Sequence, residues 1–212
     1  YQISDNPNNL KENQYMGYGF GFIWSNEDSN YVLRVSFVYN DSPAKTGGLK
    51  RGQKILKINN IEVKQNPTDD DKKIIYDEIS NGNEITLTVS DLSDNVKEIK
   101  LTKGIVTQNM VLYKNIFFIG SKIVAYMVYN EFSQASENEI FDTFNYFKEN
   151  YVNELIIDLR YNPGGSVDIS HKLVNLFAGY NNSGRVYLKM VYNDRRLNNY
   201  SKLYIKKEGD SL

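Results

Sequence analysis

The sequence predicts a two-part protein of mixed α and β structure: a β-rich α+β region over residues 17–103, then an α/β region of β-α-β-α order over residues 104–212. Three observations carry this. The first half is a series of short strand-like segments broken by Gly, Pro, Asn and Asp, with a single helix among them. The second half holds the apolar run Leu155-Ile156-Ile157-Asp158-Leu159, which predicts a buried strand. It is stopped by Asn162-Pro163-Gly164-Gly165 and followed at once by apolar residues at helical spacing: Val167, Ile169, Leu173, Val174, Leu176 and Phe177. Finally, 212 residues exceed one average domain.

Composition narrows the classes. Hydrophobic residues are 41% and charged residues 24%, the balance of a folded chain. The 17 Tyr and 10 Phe supply a sizeable core. A net charge of -1 without basic blocks gives no footprint for nucleic acid, and no apolar run is long enough to span a bilayer. Zero Cys removes disulfides, thiol catalysis and Cys-based metal sites. No metal site or cofactor is expected. The start at Tyr1, without a leader pattern, is expected to reflect processing or excision.

Residues 1–16 are mostly polar and Asn-rich and predict a linker or ragged start. Gly17-Tyr18-Gly19-Phe20-Gly21-Phe22-Ile23 alternates Gly with aromatic residues, so the backbone can approach a ligand closely; a plain hairpin or bulge is the alternative. Tyr31 to Val38 predicts a strand. Asp41-Ser42-Pro43-Ala44 predicts a turn into a short helical piece ending at Gly47-Gly48. Leu49 to Ile58 predicts another strand, turned at Asn59-Asn60 into Ile61-Glu62-Val63. Asp69 to Ile79 predicts a helix. Its acidic start complements the dipole, and Ile74, Ile75 and Ile79 form its buried face. Gly82 is placed to cap its C-terminus. Ile85–Val89 and Val96–Leu101 alternate as a hairpin.

This order resembles a PDZ domain over residues 17–103. Gly19-Phe20-Gly21-Phe22 matches that family's Gly-hydrophobic-Gly-hydrophobic carboxylate-binding loop. Ser42-Pro43-Ala44 and Gly48-Leu49-Lys50-Arg51-Gly52-Gln53 resemble its bacterial signature, with Gln53 where Asp is usual. The resemblance implies that Gly19, Phe20, Gly21 and Phe22 hold a peptide's C-terminal carboxylate, through the N–H groups of Phe20, Gly21 and Phe22, while the peptide adds as an edge strand.

Beyond Lys103, residues 104–118 read as an apolar connector and Lys122–Val128 as a strand. Ser136-Glu137-Asn138-Glu139 predicts a capping box, opening a helix with Ile140, Phe141, Phe144 and Phe147 on its buried stripe. The two strands of the β-α-β unit should be parallel. Val186–Tyr192 and Leu203–Ile205 predict a hairpin around Asn193-Asp194-Arg195-Arg196. A Gly-rich turn between strand and helix can present N–H groups to a negative charge; a tight connection without chemistry is the alternative.

Ile123-Val124-Ala125-Tyr126, Glu131-Phe132 and Asp158-Leu159-Arg160-Tyr161-Asn162-Pro163-Gly164-Gly165 together resemble the C-terminal processing (tail-specific) serine peptidases, relatives of tricorn peptidase. In that family a PDZ domain precedes the peptidase core, so the resemblance covers nearly the whole chain from Gly17. It implies the N-terminal part of a ClpP/crotonase-like core and endopeptidase action on proteins recognised near their C-termini. It also implies a Ser nucleophile with a Lys base, and an oxyanion hole using Gly164 and Gly165. The family's nucleophile and base belong to a small-residue motif beyond this segment that the sequence does not contain. The chain alone is therefore expected to be inactive, as a piece of a longer peptidase. The alternative is a non-catalytic PDZ-type peptide-binding protein or a shortened, inactive family member. The resemblance also implies export to the periplasm or cell envelope.

Other residues read as structural. Ser166 and His171 fall near one short helix without a nucleophile elbow. Asp158 and Arg160 alternate onto one strand face, where an ion pair can hold the turn. Asp69-Asp70-Asp71 reads as a solvated helix start rather than a cation site.

Overall fold

Alternation in the first half becomes strands because every second side chain enters one core. A computed structural model describes residue 10, residues 13–191 and residues 202–205. The strands are β1 (Gln14–Gly17), β2 (Phe20–Glu27), β3 (Asn30–Val38), β4 (Lys54–Ile58), β5 (Ile61–Glu62), β6 (Glu84–Ser90), β7 (Val96–Thr102) and β8 (Gly104–Thr107). Helices α1 (Pro43–Thr46) and α2 (Asp69–Asn81) lie among them. The main sheet is antiparallel in the order β2-β3-β4-β6-β7, with β5 attached to β4. Strand β2 is therefore an edge. Strands β1 and β8 pair separately.

The chain divides into two compact units, residues 1–112 and 113–212. The pairing of β8 with β1 keeps Gly104–Thr107 in the first unit, beyond the junction expected at 103/104. It also makes strand of Gln14–Met16, where the sequence predicted a linker.

The first unit's core is built from Leu33, Val35, Ile55, Ile58, Ile85, Leu87 and Val89 on the sheet, with Ala44, Leu49 and Ile75 closing it. Ser42 starts α1: its Oγ accepts from Lys45 N at 3.2 Å and donates to Tyr39 O at 2.7 Å. Gln53, where a carboxylate was usual, is buried and accepts from Lys50 N at 2.8 Å, so an amide oxygen closes the same turn. Two expectations for α2 fail. Ile74 is 49% exposed while Ile75 is buried, because adjacent helix positions lie 100° apart and cannot both face the core. Gly82 adopts φ -70° and ψ 145°, an extended conformation rather than a left-handed cap.

In the second unit, β9 (Val111–Ile119, begun at the end of the first), β10 (Lys122–Tyr129) and β11 (Glu154–Asp158) form a sheet in the order β11-β10-β9. Strand β9 occupies what the sequence presented as a connector. Strands β10 and β11 are parallel, in register from Val124 opposite Glu154 to Val128 opposite Asp158. Helix α3 (Glu137–Glu149) makes the crossover and α4 (Val167–Phe177) follows β11. Ile140, Thr143 and Phe147 of α3 are buried, as are Ile169 and Leu173 of α4. Phe144 stacks on Phe177 with centroids 6.4 Å apart, and Lys172 pairs with Glu137 at 2.8 Å, joining the two helices. The expected capping box at Ser136 is absent. Ser136 sits in a 3₁₀ turn (Gln134–Ser136), and its Oγ bonds the Tyr129 hydroxyl and Ser133 O, each at 2.6 Å, instead of a helix N–H. Strand β11 is less buried than its apolar run predicts, with Ile156 53% exposed, because it is an edge strand. Strands β12 (Val186–Lys189) and β13 (Lys202–Tyr204) form the predicted hairpin; its turn at Asn193–Arg196 lies outside the described residues.

Candidate active-site turn and peptide-binding strand

The turn after β11 is held from three sides. Asp158, buried at the strand end, accepts the Tyr126 hydroxyl from β10 at 2.7 Å. It also accepts Arg160 N at 2.9 Å and the Arg160 guanidinium at 2.7 Å. The ion pair expected from their spacing is thus formed, and the Asp158 carboxylate raises the Tyr126 hydroxyl's pKa above its ordinary value. Asn162 then bridges strand and turn. Its Nδ2 donates to Tyr129 O at 3.0 Å, and its Oδ1 accepts from Gly164 N at 2.7 Å. The third hold comes from Phe132: its N–H donates to Gly164 O at 2.9 Å and its carbonyl accepts from Ser166 N at 2.7 Å.

These bonds decide which donors remain. Gly164 N–H is committed to Asn162 and Ser166 N–H to Phe132. Gly165 N–H lies between them without a hydrogen-bond partner among the described residues. Gly165 has φ +132°, and a Cβ there would lie 2.5 Å from Phe132 O; Gly164 has φ +102° with open space beside it. Both positions need glycine for backbone reasons, and Gly165 also for room. Ser166 is the N-cap of α4, accepting from Ile169 N at 3.4 Å and from Gln134 Nε2 at 2.9 Å. His171 donates from Nε2 to Tyr204 O, 2.6 Å away, and stacks on Tyr187, so it ties α4 to the β12–β13 hairpin. Both residues thus make contacts that hold α4 in place.

In the first unit, Gly19 lies just before β2 with φ +80°, and a Cβ there would lie 2.2 Å from the Ser42 side chain. Gly19 O accepts from Tyr39 N at 2.9 Å. Phe20, Gly21 and Phe22 open β2, with a register shift between Gly21 and Phe22. Tyr18, just before the loop, is buried and donates to Gly82 O at 2.8 Å; burial first, then Glu84 and Glu78, push its hydroxyl up to about 12. Rings run on from it: Tyr18 to Phe20 at 6.4 Å, Phe20 to Phe22 at 6.3 Å, and Phe22 to Tyr76 of α2 at 5.1 Å. The acidic start of α2 is a capping box, with Thr68 accepting from Asp71 N at 3.2 Å and Asp71 accepting from Thr68 N at 3.0 Å. No cluster of metal-ligating side chains occurs among the described residues. The sequence marked Phe132 only as part of the peptidase resemblance, not as a clamp on the turn, and did not point to Tyr76, because both act across long separations.

A parallel β-α-β unit ending in an Asn-Pro-Gly-Gly turn follows an antiparallel domain with a Gly-Phe-Gly-Phe edge strand, the order that the resemblance to PDZ-bearing peptidases implies. Comparison with known proteins agrees. The PDZ domain model matches residues 10–90 and the Peptidase family S41 model matches residues 123–208. The second unit is therefore similar to peptidase family S41, and the first to PDZ domains. The chain is 28% identical to a carboxyl-terminal-processing protease of Picosynechococcus over 69% of its own length and 35% of the relative's. It is 25% identical to a probable CtpA-like serine protease of Staphylococcus epidermidis over 74% of its length and 30% of the relative's. The fold resembles the crystal structure of a candidate S41 protease from Bacteroides fragilis, with a TM-score of 0.63 and 25% identity, covering 94% of this chain and 54% of that one. It also resembles the photosystem II D1 C-terminal processing protease, with a TM-score of 0.56 and 14% identity over 93% and 52%. The chain thus spans about a third of the curated relatives it matches and about half of the solved ones.

Proposed function

We propose that the chain is part of a serine endopeptidase of the C-terminal processing type. In this reading its second unit supplies the oxyanion donor and its first unit captures substrate C-termini. The observation that carries the reading is the turn after β11, where bonds to Asn162 and Phe132 commit the Gly164 and Ser166 N–H groups and leave the Gly165 N–H between them unbonded at the start of a helix. A preformed donor is valuable in acyl transfer because it does not reorganise as charge develops on the scissile carbonyl oxygen. The α4 N-terminus adds positive potential. Of the two glycines, Gly165 gives the hydrogen bond and Gly164 fixes its direction.

The nucleophile and base are a Ser and a Lys from outside residues 1–212. A Ser hydroxyl needs a neutral amine to take its proton, and burial can keep a Lys neutral. In the first unit, Gly19, Phe20, Gly21 and Phe22 hold the substrate carboxylate while its backbone extends the sheet at β2. The substrates are proteins, met in the periplasm or cell envelope. No helix among the described residues is long and apolar enough to cross a membrane.

The test is cleavage of casein and of free-acid peptides by a polypeptide extended to the length of the relatives, beside the 212-residue chain. The extended protein should turn over and lose that activity on Gly165→Ala. The short chain should be inactive. Turnover by the short chain, with host peptidases excluded, would overturn the assignment of nucleophile and base.

A further inference from the structure

An added strand on β2 places every second side chain on the face that bears Phe20 and Phe22. With its carboxylate at the Gly19–Phe22 loop, the last side chain of such a peptide falls between β2 and α2. The Tyr76 ring of α2 lies against Phe22, centroids 5.1 Å apart and planes at 41°, completing the aromatic ladder from Tyr18. Tyr76 is 49% exposed, so its ring can swing outward, whereas its neighbour Ile75 is 2% exposed and Ile79 packs on the core. The helix is anchored; the ring is not.

We infer that Tyr76 is a selectivity gate: in the unliganded domain it occupies the place of a substrate's last side chain, and it must leave Phe22 before a bulky C-terminal residue can enter. A small residue binds beneath the closed ring. The inference rests on the reading of the first unit as a C-terminus-binding domain. Its cost is the ring–ring contact, which for aromatic pairs corresponds to a roughly three- to ten-fold affinity penalty on large residues.

The test is calorimetric titration of the 212-residue chain and its Tyr76→Ala and Tyr76→Phe variants. The peptides differ only in ending with Ala or Phe, each as free acid and amide. Tyr76→Ala should bind the Phe-ending acid about three- to ten-fold tighter and the Ala-ending acid as before. Tyr76→Phe, which keeps the ring, should match the parent. Unchanged selectivity in Tyr76→Ala, or equal weakening for both acids, overturns the gate, the second result marking Tyr76 as a plain wall of the site. Equal binding of acids and amides by the parent overturns carboxylate capture instead, and the gate is still judged by the Ala-to-Phe ratio. If neither the parent nor Tyr76→Ala binds any peptide, both readings fall. Circular dichroism of each variant confirms that the fold is retained.

Discussion

Asn162 makes the turn after β11 a specified object rather than a loose loop. Its side chain satisfies the Tyr129 carbonyl and the Gly164 N–H at once. Asn162→Ala leaves two backbone groups unpaired, and the second unit should lose roughly 1–3 kcal/mol, measured by urea denaturation. The two glycines should separate in the same assay. Gly164→Ala meets only backbone strain, on the order of 1–3 kcal/mol. Gly165→Ala meets strain and the Phe132 carbonyl at 2.5 Å, so it should cost more and also displace the unbonded donor. Equal urea midpoints for the two variants would contradict the clamp by Phe132. The glycines and Asn162 were legible in the sequence as turn residues. Which N–H stays unbonded was not, because Phe132 is distant in the chain.

At the scale of elements, the acidic start of α2 carries a pH dependence. The Asp71 carboxyl is held down to about 2 by its hydrogen bond from Lys64, then by the Thr68 backbone and hydroxyl. A folded-state pKa below the unfolded value gives stabilisation that is fully present above the ordinary carboxylate range and is lost as pH falls through about 2. Between pH 4 and pH 2 the urea midpoint of the first unit should fall, and Asp71→Asn should flatten that part of the profile. An identical profile for the variant would remove Asp71 from the account. Strands and helices were mostly legible from period and turn chemistry: β3, β6, β7, β10, β11 and α3 fall where alternation or helical spacing put them. The failures have local causes. Ser136 carries the capping-box pattern but spends its hydroxyl on Tyr129 and Ser133. The capping box that does form, Thr68 with Asp71, was read only as an acidic helix start. Strands β8 and β9 were missed because Gly104–Ile119 mixes polar and apolar residues without clean alternation, and the pairing of β8 is supplied by β1.

For the molecule as a whole, two units mean two cores. The first has its own buried cluster, from Tyr18 through Leu101, so residues 13–112 produced alone should unfold cooperatively on heating; a broad, non-cooperative melt by circular dichroism would count against that. Among the described residues, the second unit has an unpaired edge at β11, with Ile156 53% exposed and Leu159 44% exposed beside it. Such an edge invites pairing with another chain. The 212-residue chain should therefore self-associate as concentration rises, and Ile156→Lys should suppress this in sedimentation velocity.

The bridge between Phe132 and Gly165 has one more consequence. The two residues stand on either side of helix α3, so the aim of the Gly165 N–H depends on an intact crossover. A single proteolytic nick within Glu137–Glu149 would leave every residue of the turn in place and still disarm it, because the strap that holds it would then belong to a separate piece of polypeptide.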